Sequence, residues 1–238
     1  MPPDLTVITV TCDQPTGFAL CERMMARQTY TGRVQWIVVD DGDRPIAPTA
    51  GQHYVRRHRG SDTGAQSLCR NLLEALPHVA APIVAIVEHD DYYAPTHFAR
   101  IVAQLEPPEA QIAGDDEQRY YHVPSRQWRV FANLGASLCQ TAFRVDRLAL
   151  FQAVVERRLA QNHFGVDGAF WASVPRAHWA LARTQTVVGI KGLAGRPGLG
   201  IGHRPQGPGW GTDPLGAQLC QWIGSDASWY LDASRATA

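Results

Sequence analysis

The stretch Ile83-Val84-Ala85-Ile86-Val87-Glu88-His89-Asp90-Asp91 is an apolar run that ends abruptly in acidic side chains. Its apolar residues, most of them β-branched, are typical of a buried strand in a parallel sheet. The carboxylates do not belong in a core, because burying an unpaired charge costs several kcal/mol. We therefore expect Glu88, Asp90 and Asp91 to emerge at the carboxyl end of the strand, where open α/β sheets bind their ligands.

A group of carboxylate oxygens at a strand end suits Mg²⁺ or Mn²⁺ and, through the metal, a substrate diphosphate. The alternative is a helix N-terminus, because Pro95 follows and acidic residues are favoured in the first turn of a helix. The remainder of the chain favours the metal site.

The composition is that of an ordinary folded domain. The chain has 238 residues, 45% hydrophobic and 18% charged, and Lys plus Arg balance Asp plus Glu at 22 each. This neutrality argues against a global attraction to nucleic acid or membrane.

The cysteines are odd in number and form no CxxC pair, as expected of free thiols in a reducing compartment. The first strand starts too early for a secretory leader and no apolar run is long enough to span a membrane, so we expect a cytoplasmic protein without a transmembrane segment.

Strand and helix patterns alternate in the first half of the chain. Strands are predicted over 5–10, 34–39, 53–57 and 83–87, and helices over 17–28, around 68–76 and after Pro95. This alternation indicates βαβ units and hence a parallel twisted sheet flanked by helices.

The pattern is weaker after residue 106. A strand is predicted near 111–114 and a helix over 145–159, with the polar and aromatic segment 117–131 between them. Residues 189–211 hold nine glycines and three prolines, too many for a helix or a regular central strand. The aromatic residues near the end predict a tail packed on the body: Trp222, Trp229 and Tyr230.

The order of these segments resembles the GT-A glycosyltransferases, most closely glycosyltransferase family 2. Residues 6–15 are similar to the family's first strand and nucleotide-binding turn, and residues 36–43 to its second strand and acidic pair. Residues 64–71, running into the 88–91 segment, are similar to its glycine-to-Arg-Asn helix followed by the DxD motif.

The resemblance implies an α/β, Rossmann-like GT-A fold with a mostly parallel sheet. It implies one domain over 1–238, with a nucleotide-binding half over 1–106 and an acceptor-binding half over 107–238. The glycine-rich segment 189–211 would be a lid over the donor.

The resemblance also implies the residues that bind a nucleoside diphosphate sugar. They are Thr11, Asp13, Asp40, Asp41, Arg70, Glu88 and Asp91 in the first half, and Gly135, Lys191 and Arg196 in the second. Asp41 would accept a hydrogen bond from the nucleotide base, Glu88 would face the ribose, and Gly135 would lie in a loop, residues 133–137, that approaches the donor sugar.

Each of these assignments has a structural alternative. Asp13, Asp40 and Asp41 precede proline or glycine and can be turn residues. Arg70 projects away from the apolar stripe of its helix and can be a solvated arginine, although its planar fork also suits the strand-end acids or a diphosphate.

Family geometry implies Asp90 as the direct metal ligand, and His203 falls where several GT-A enzymes place a histidine on the metal. Asp91 would support Asp90. Lys191, Arg196 and Arg204 flank His203 and suit a departing nucleoside diphosphate. The alternative for this segment is a surface loop with incidental basic residues.

Asp167 is the candidate catalytic base. It lies in Gly165-Val166-Asp167-Gly168, where the family usually carries a Glu-Asp pair, but Val166 replaces the Glu. Phe170 and Trp171 follow and are expected to wall an acceptor pocket. The alternative is a helix N-cap, a position that aspartate favours.

The sequence thus predicts a metal-dependent, inverting glycosyltransferase that uses a UDP-sugar. The acceptor class stays open among sugar, lipid, protein and modified nucleic-acid base. The basic run of residues 56–59 is either a solvated strand edge or a site for a polyanionic acceptor.

Two other functions remain. One is a nucleotidyltransferase, which is disfavoured because the turn after the first strand lacks Lys and Arg. The other is a catalytically silent nucleotide-sugar-binding module.

Overall fold

Twelve strands and seven helices are present in the computed structural model, which describes residues 1–132 and 135–233. In chain order the strands are β1 Leu5–Thr11, β2 Val34–Asp40, β3 Gln52–Arg56, β4 Ile83–Ile86, β5 Tyr92–Tyr93, β6 Ile112–Asp115, β7 Gln118–His122, β8 Gln127–Phe131, β9 Ala142–Arg144, β10 Trp179–Ala182, β11 Val187–Lys191 and β12 Gly211–Thr212. The helices are α1 Pro15–Ala26, α2 Gly64–Ala75, α3 His97–Gln104, α4 Leu148–Ala160, α5 Val166–Ser173, α6 Ala217–Ile223 and α7 Ala227–Ala233.

The central sheet has seven strands in the order β10-β6-β9-β4-β1-β2-β3. Neighbouring strands are parallel except where β9 pairs with β4 and β6. This confirms the predicted mostly parallel α/β sheet flanked by helices in a single domain. In the β1–β2 register Thr11 lies beside Asp40, so the two strands end side by side.

Helices cover both faces of this sheet, which explains why its central strands are continuously apolar. Val7 packs in one buried cluster with side chains of α1, α3, α6 and α7. Ile8, on the opposite face, packs in a second cluster with side chains of α2, α4 and α5. No helix of the described residues is long and apolar enough to cross a membrane.

A capping box fixes the start of α2. The Thr63 hydroxyl accepts from Gln66 N at 3.2 Å, and the Gln66 side chain accepts from Thr63 N at 3.0 Å. Both bonds satisfy amide groups that a helix start leaves free. The α-helix ends at Ala75, before Pro77, as predicted. Its inner face carries Ser67 and Asn71 towards the carboxyl ends of the central strands.

A second sheet, β12-β8-β7-β11-β5, is formed in the second half of the chain and corrects the expectation for the glycine-rich segment. The polar segment 117–131 forms the hairpin of β7 and β8. The glycine-rich segment starts as the internal strand β11, which includes Gly189 and Lys191. A β-carbon at Gly189 would lie 2.6 Å from Tyr120 Cδ1, so this glycine permits close packing of β11 on β7. The irregular part is therefore 192–211, which we call the lid segment.

The end of the described chain packs on the body, as its aromatic residues predict. Tyr230 is fully buried, and its hydroxyl donates to the backbone oxygen of Asp91 at 3.3 Å. Asp226 accepts from Arg27 of α1 at 2.8 Å.

His97, at the start of α3, should make stability depend on pH. Burial lowers the pKa of His97 to about 3, whereas the unfolded chain takes up the proton near pH 6.5. The free energy of unfolding should therefore fall as the pH is lowered below about 6.5. His97 alone should contribute about 1.4 kcal/mol per pH unit.

Urea unfolding between pH 4 and 6.5 measures this slope. His97→Asn, which can still donate towards Thr186 but does not titrate, should show a shallower slope. His58→Asn, at an exposed position, is the control and should leave the slope unchanged. An identical slope in the His97 variant and the unmodified protein would contradict the assignment.

Candidate active site

The carboxyl ends of β1 and β4 and the inner face of α2 meet the lid segment around a cavity of about 130 Å³. It is lined by Val10, Thr11, Cys12, Gln14, Gly64, Ser67, Leu68, Asn71, Glu88, His89, Asp90, Arg196, Pro197, Gly198 and Leu199. We call it the strand-end cavity. The residues after β4 lie here, as the opening sequence pattern predicts.

A buried lysine lies among the acids that follow β4. Lys191 Nζ is 2.7 Å from Asp91 Oδ1, 3.5 Å from Glu88 Oε2 and 3.9 Å from Asp90 Oδ2. Burial alone would lower the pKa of Lys191, but these carboxylates raise it well above its usual value. Lys191 is therefore an ammonium on β11 and compensates the acids. The sequence pattern had placed it in the lid, beside a leaving diphosphate.

Asp90 and His203 come together from distant parts of the chain. His203 Nε2 is 3.9 Å from Asp90 Oδ2. Burial lowers the pKa of His203 to about 4, so the imidazole is neutral near pH 7. Burial raises the pKa of Asp90, yet Lys191 and the neighbouring histidines lower it overall. The pair thus consists of a carboxylate and a neutral imidazole.

This pair fits a divalent cation. The distance between Asp90 Oδ2 and His203 Nε2 is too long for a hydrogen bond, but both atoms can bind one ion at about 2.1 Å each. Carboxylate and imidazole together suit Mn²⁺. Donor atoms of Glu88, Asp91 and Cys139 also lie within 4.8 Å of one another. Burial raises the pKa of the Cys139 thiol well above its usual value, which makes it a poor ligand, and Lys191 already pairs with both acids.

Asp40 serves the turn after β2. Its carboxylate accepts from Gly42 N at 2.8 Å, Ile46 N at 3.0 Å and the Tyr54 hydroxyl at 2.8 Å. The side chain is 0% exposed. These contacts are those of the turn alternative for Asp40, and its donor-binding role stays a prediction.

Asp41 differs from its neighbour because one of its oxygens has no hydrogen-bond partner. Asp41 Oδ2 accepts from Arg57 Nη2 at 2.6 Å and from the Ser67 hydroxyl. Buried Oδ1 accepts no hydrogen bond from the described residues, and Arg196 Nη1 lies 3.6 Å away. The carboxylate is thus fixed through one oxygen and has the other available for an N–H donor.

Arg57 pairs with Asp41, the acid after β2, at 2.6 Å. Arg70 instead pairs with Asp62 at 3.1 Å and keeps a side chain 49% exposed. Arg70 therefore does not pair with the acids after β4, one of its two expected partners, and its contact with a diphosphate stays a prediction. Arg57 also donates to Asn71 and to Asp62. The only signal for it in the sequence was the basic run of residues 56–59, which indicated a surface.

The lid segment is attached to the turn after β1. Arg196 forms an ion pair with Asp13, and the Gln14 side chain donates to the Arg196 carbonyl. His89 supports Gln14 by approaching Gln14 Oε1 at 2.8 Å. The buried Thr11 hydroxyl has no hydrogen-bond partner among the described residues. Thr11 and Arg196 thus line the strand-end cavity and Asp13 pairs with Arg196, while the contacts of Gln14 and His89 have no counterpart in the sequence predictions.

Asp167 lies in a second cavity, of about 240 Å³, that we call the acceptor cavity. Its other lining residues are Leu68, Glu88, Tyr120, Phe131, Ser137, Leu138, Phe164, Lys191, Leu199 and Gly200. Phe170 and Trp171, expected to wall this pocket, are instead fully buried in the core under the central sheet. The aromatic residues that line the cavity are Tyr120 of β7, Phe131 of β8 and Phe164 of the loop before α5.

Asp167 is not the N-cap of α5, because Gly165 occupies that position. Asp167 Oδ1 accepts from Gly168 N at 2.8 Å, which places it in the first turn. Burial raises the pKa of Asp167 above its usual value. A carboxylate with a raised pKa is a better proton acceptor, which a general base requires.

Gly135 has a packing role in the described part of its loop. Its φ is +111°, and a β-carbon there would lie 2.6 Å from Trp171 Cγ. Gly135 lines neither cavity, and its approach to the donor sugar stays a prediction. Asn133 and Leu134 of the same loop lie outside the described residues.

The sequence matches no protein-family model and has no match among curated proteins. Solved structures do share the fold. TarS of S. aureus is similar with a TM-score of 0.56 and 12% identity over 79% of this chain, which spans 36% of TarS. A structure of TarS residues 1–349 in complex with UDP is similar with a TM-score of 0.55 and 13% identity over 79% of this chain and 60% of that one.

The mannosyltransferase PcManGT from Pyrobaculum calidifontis, in complex with GDP-Man and Mn²⁺, is similar over a longer range. Its TM-score is 0.53 at 16% identity, over 99% of this chain and 74% of that one. At these identities the comparisons show that the chain has a fold shared with a glycosyltransferase. The GT-A assignment and the place in family 2 rest on the sequence resemblance.

Asp90→Asn should remove metal-dependent nucleotide binding and leave the fold intact, because it replaces a cavity-edge carboxylate with a shape-matched amide. A nucleotide at 100 times its Kd stabilises a protein by about 2.7 kcal/mol. Thermal unfolding with UDP and Mn²⁺ should show this gain in the unmodified protein but not in Asp90→Asn or His203→Ala.

The control is Asp116→Asn, which removes a surface acid paired with Arg183. It should keep the full Mn²⁺-dependent gain. If Asp90→Asn also kept it, Asp90 would not be the metal ligand.

Proposed function

We propose that this chain is a glycosyltransferase that moves a sugar from a nucleoside diphosphate sugar to an acceptor hydroxyl. The observation that carries the proposal is that Glu88 lines both the strand-end cavity and the acceptor cavity. A donor with its nucleotide in the first cavity would have its sugar beside Glu88, facing Asp167 in the second. The shared fold with a mannosyltransferase supports this reading.

The nucleotide would bind beside Thr11 in the strand-end cavity and would reach Asp13 and Asp41, both of which pair with Arg196 of the lid segment in this structure. Asp41 Oδ1 accepts no hydrogen bond from the described residues, and it would accept one from a base N–H, which uracil has at N3 and guanine at N1. We propose uracil: one structure with this fold is in complex with UDP, and another, in complex with GDP-Man, makes guanine the alternative. Asp90 and His203 would hold a divalent cation, Mn²⁺ or Mg²⁺, which supplies Lewis-acid neutralisation of the diphosphate when bound.

Transfer would proceed in one displacement. The acceptor oxygen attacks the anomeric carbon, the bond from that carbon to the diphosphate oxygen breaks, and the diphosphate leaves with the electron pair. The acceptor's proton passes to the Asp167 carboxylate, which acts as general base. Attack from the side opposite the diphosphate inverts the anomeric configuration.

The lid segment would open for the donor to enter. Ligand cavities for small molecules usually have about 300–1,000 Å³, whereas the strand-end cavity, which residues 196–199 of the lid segment help to line, has about 130 Å³. Leu199 packs against Gly64, where a β-carbon would lie 2.7 Å from Leu199 Cδ2. Withdrawal of these residues would admit the nucleotide, and their return would exclude water from the transfer.

Asp41 predicts preference among nucleotides. UDP should bind at least several-fold more tightly than CDP, because cytosine N3 carries no proton and an unpaired buried acceptor costs about 1–3 kcal/mol. Titration calorimetry with UDP, CDP and GDP measures the preference, and GDP tests the guanine alternative.

Asp41→Asn should bring the ratio of the UDP and CDP affinities towards one. Asp43→Asn, which removes a neighbouring acid that is 90% exposed, should leave the ratio unchanged. Equal affinities for UDP and CDP in the unmodified protein would exclude Asp41 from base recognition.

Asp167→Asn should leave donor affinity nearly unchanged and slow transfer by about 10²–10⁴-fold, the usual contribution of a general base. The unmodified enzyme should lose rate as the pH falls through the raised pKa of Asp167, because the protonated acid cannot accept the acceptor's proton. UDP release from UDP-sugars, with and without a panel of hydroxyl acceptors, measures the rate.

Two outcomes would contradict this role. If the variant lost donor binding or unfolded early, with normal turnover in the folded fraction, Asp167 would be structural. If the unmodified protein bound UDP-sugars but released no UDP, the chain would be a binding module without catalysis.

A further inference from the structure

A third cavity, of about 510 Å³, lies on the outer side of the lid segment. Its polar and aromatic lining consists of Arg129, Arg204, Gln206 and Trp210. Arg129 comes from β8, and the other three come from the lid segment, so this arginine cleft joins the second sheet to the lid.

Neither arginine of the cleft forms a salt bridge with an acid of the described residues. Most basic side chains near the site do: Arg57 pairs with Asp41 and Asp62, and Arg196 pairs with Asp13. Arg129 instead lies over the Phe131 ring, 5.4 Å from its centroid, and Arg204 is exposed.

The basic run of residues 56–59 is not such a site. Arg56 pairs with Asp40 at 3.4 Å, and Arg57 pairs with Asp41 and Asp62. Arg59 Nε donates to the Asp62 carbonyl at 3.1 Å. Two of these three arginines are thus paired with acids of the fold, whereas neither arginine of the cleft is paired with an acid of the described residues.

The arginine cleft lies next to the acceptor cavity. Leu199 and Gly200 line both spaces, and Phe131 lines the acceptor cavity while its ring contacts Arg129. A molecule that presents a hydroxyl to Asp167 would therefore extend past the lid towards the two guanidinium groups.

We propose that the acceptor carries an anionic group, a phosphate or a carboxylate, and that Arg129 and Arg204 bind it while Trp210 packs on an adjacent sugar ring. Guanidinium groups recognise both anions with paired N–H donors. This inference rests on the proposed function for the identity of the ligand as acceptor, and it names the class to which that acceptor belongs.

The test measures binding of three small probes by titration calorimetry: glucose 6-phosphate, glucuronate and glucose. Each is titrated with and without saturating UDP and Mn²⁺, so that the cleft is tested even if the nucleotide does not bind. Failure of UDP to bind would count against the proposed function alone. The phosphate and carboxylate probes show which anion is preferred.

We expect at least one anionic probe to bind ten-fold or more tightly than glucose. Arg129→Gln and Arg204→Gln should each weaken that binding by about ten-fold, as loss of a hydrogen bond to a charged group does. The control Arg100→Gln, at an exposed position of α3, removes the same charge and should have no effect.

Three results would overturn the proposal. The first is equal binding of glucose and both anionic probes. The second is an equal loss in Arg100→Gln, which would indicate general charge attraction. The third is a loss of UDP affinity in Arg204→Gln with unchanged probe binding, which would assign Arg204 to the donor diphosphate, as the sequence pattern implied.

Discussion

The ammonium group of Lys191 is the charge on which the candidate site depends. It lets three carboxylates share the end of β4, where Asp91 is 0% exposed. Removing one partner of a buried ion pair costs about 3–5 kcal/mol, because the remaining charge is uncompensated. Asp91 Oδ1 also accepts from Ile190 N at 2.9 Å. One carboxylate thus fixes both the backbone and the side chain of β11, and so positions the second sheet against the central one.

The central sheet could be predicted from the sequence because its strands are buried on both faces. Continuous β-branched runs have few other stable arrangements, and the acids that end them mark the edge where ligands bind. The second sheet gives no such signal. β8 is only partly buried along its length, and β11 contains a glycine and a lysine that local propensity assigns to a loop. Tertiary packing decides both strands.

The family resemblance, rather than any local pattern, implied which distant residues belong to one site. Asp90 Oδ2 lies 3.9 Å from His203 Nε2, and Asp167 lines one cavity with Glu88. The partners of individual side chains were not predictable. Asp40 and Asp41 are adjacent, yet one completes a turn and the other keeps a free oxygen, a difference that depends on Tyr54 and Arg57 reaching across from β3. Long cationic side chains can reach several acids, so spacing along the chain does not select among them.

The position of Lys191 in the sequence also affects the order in which parts of the protein fold during synthesis. Lys191 lies 100 residues after Asp91, and a ribosome adds about 5–20 residues per second. The acids therefore leave the ribosome roughly 5–20 s before their cation does. During that interval they stay hydrated, and the end of β4 cannot be buried at low cost. The charged centre can therefore assemble only after β4 and the strands parallel to it have all been made.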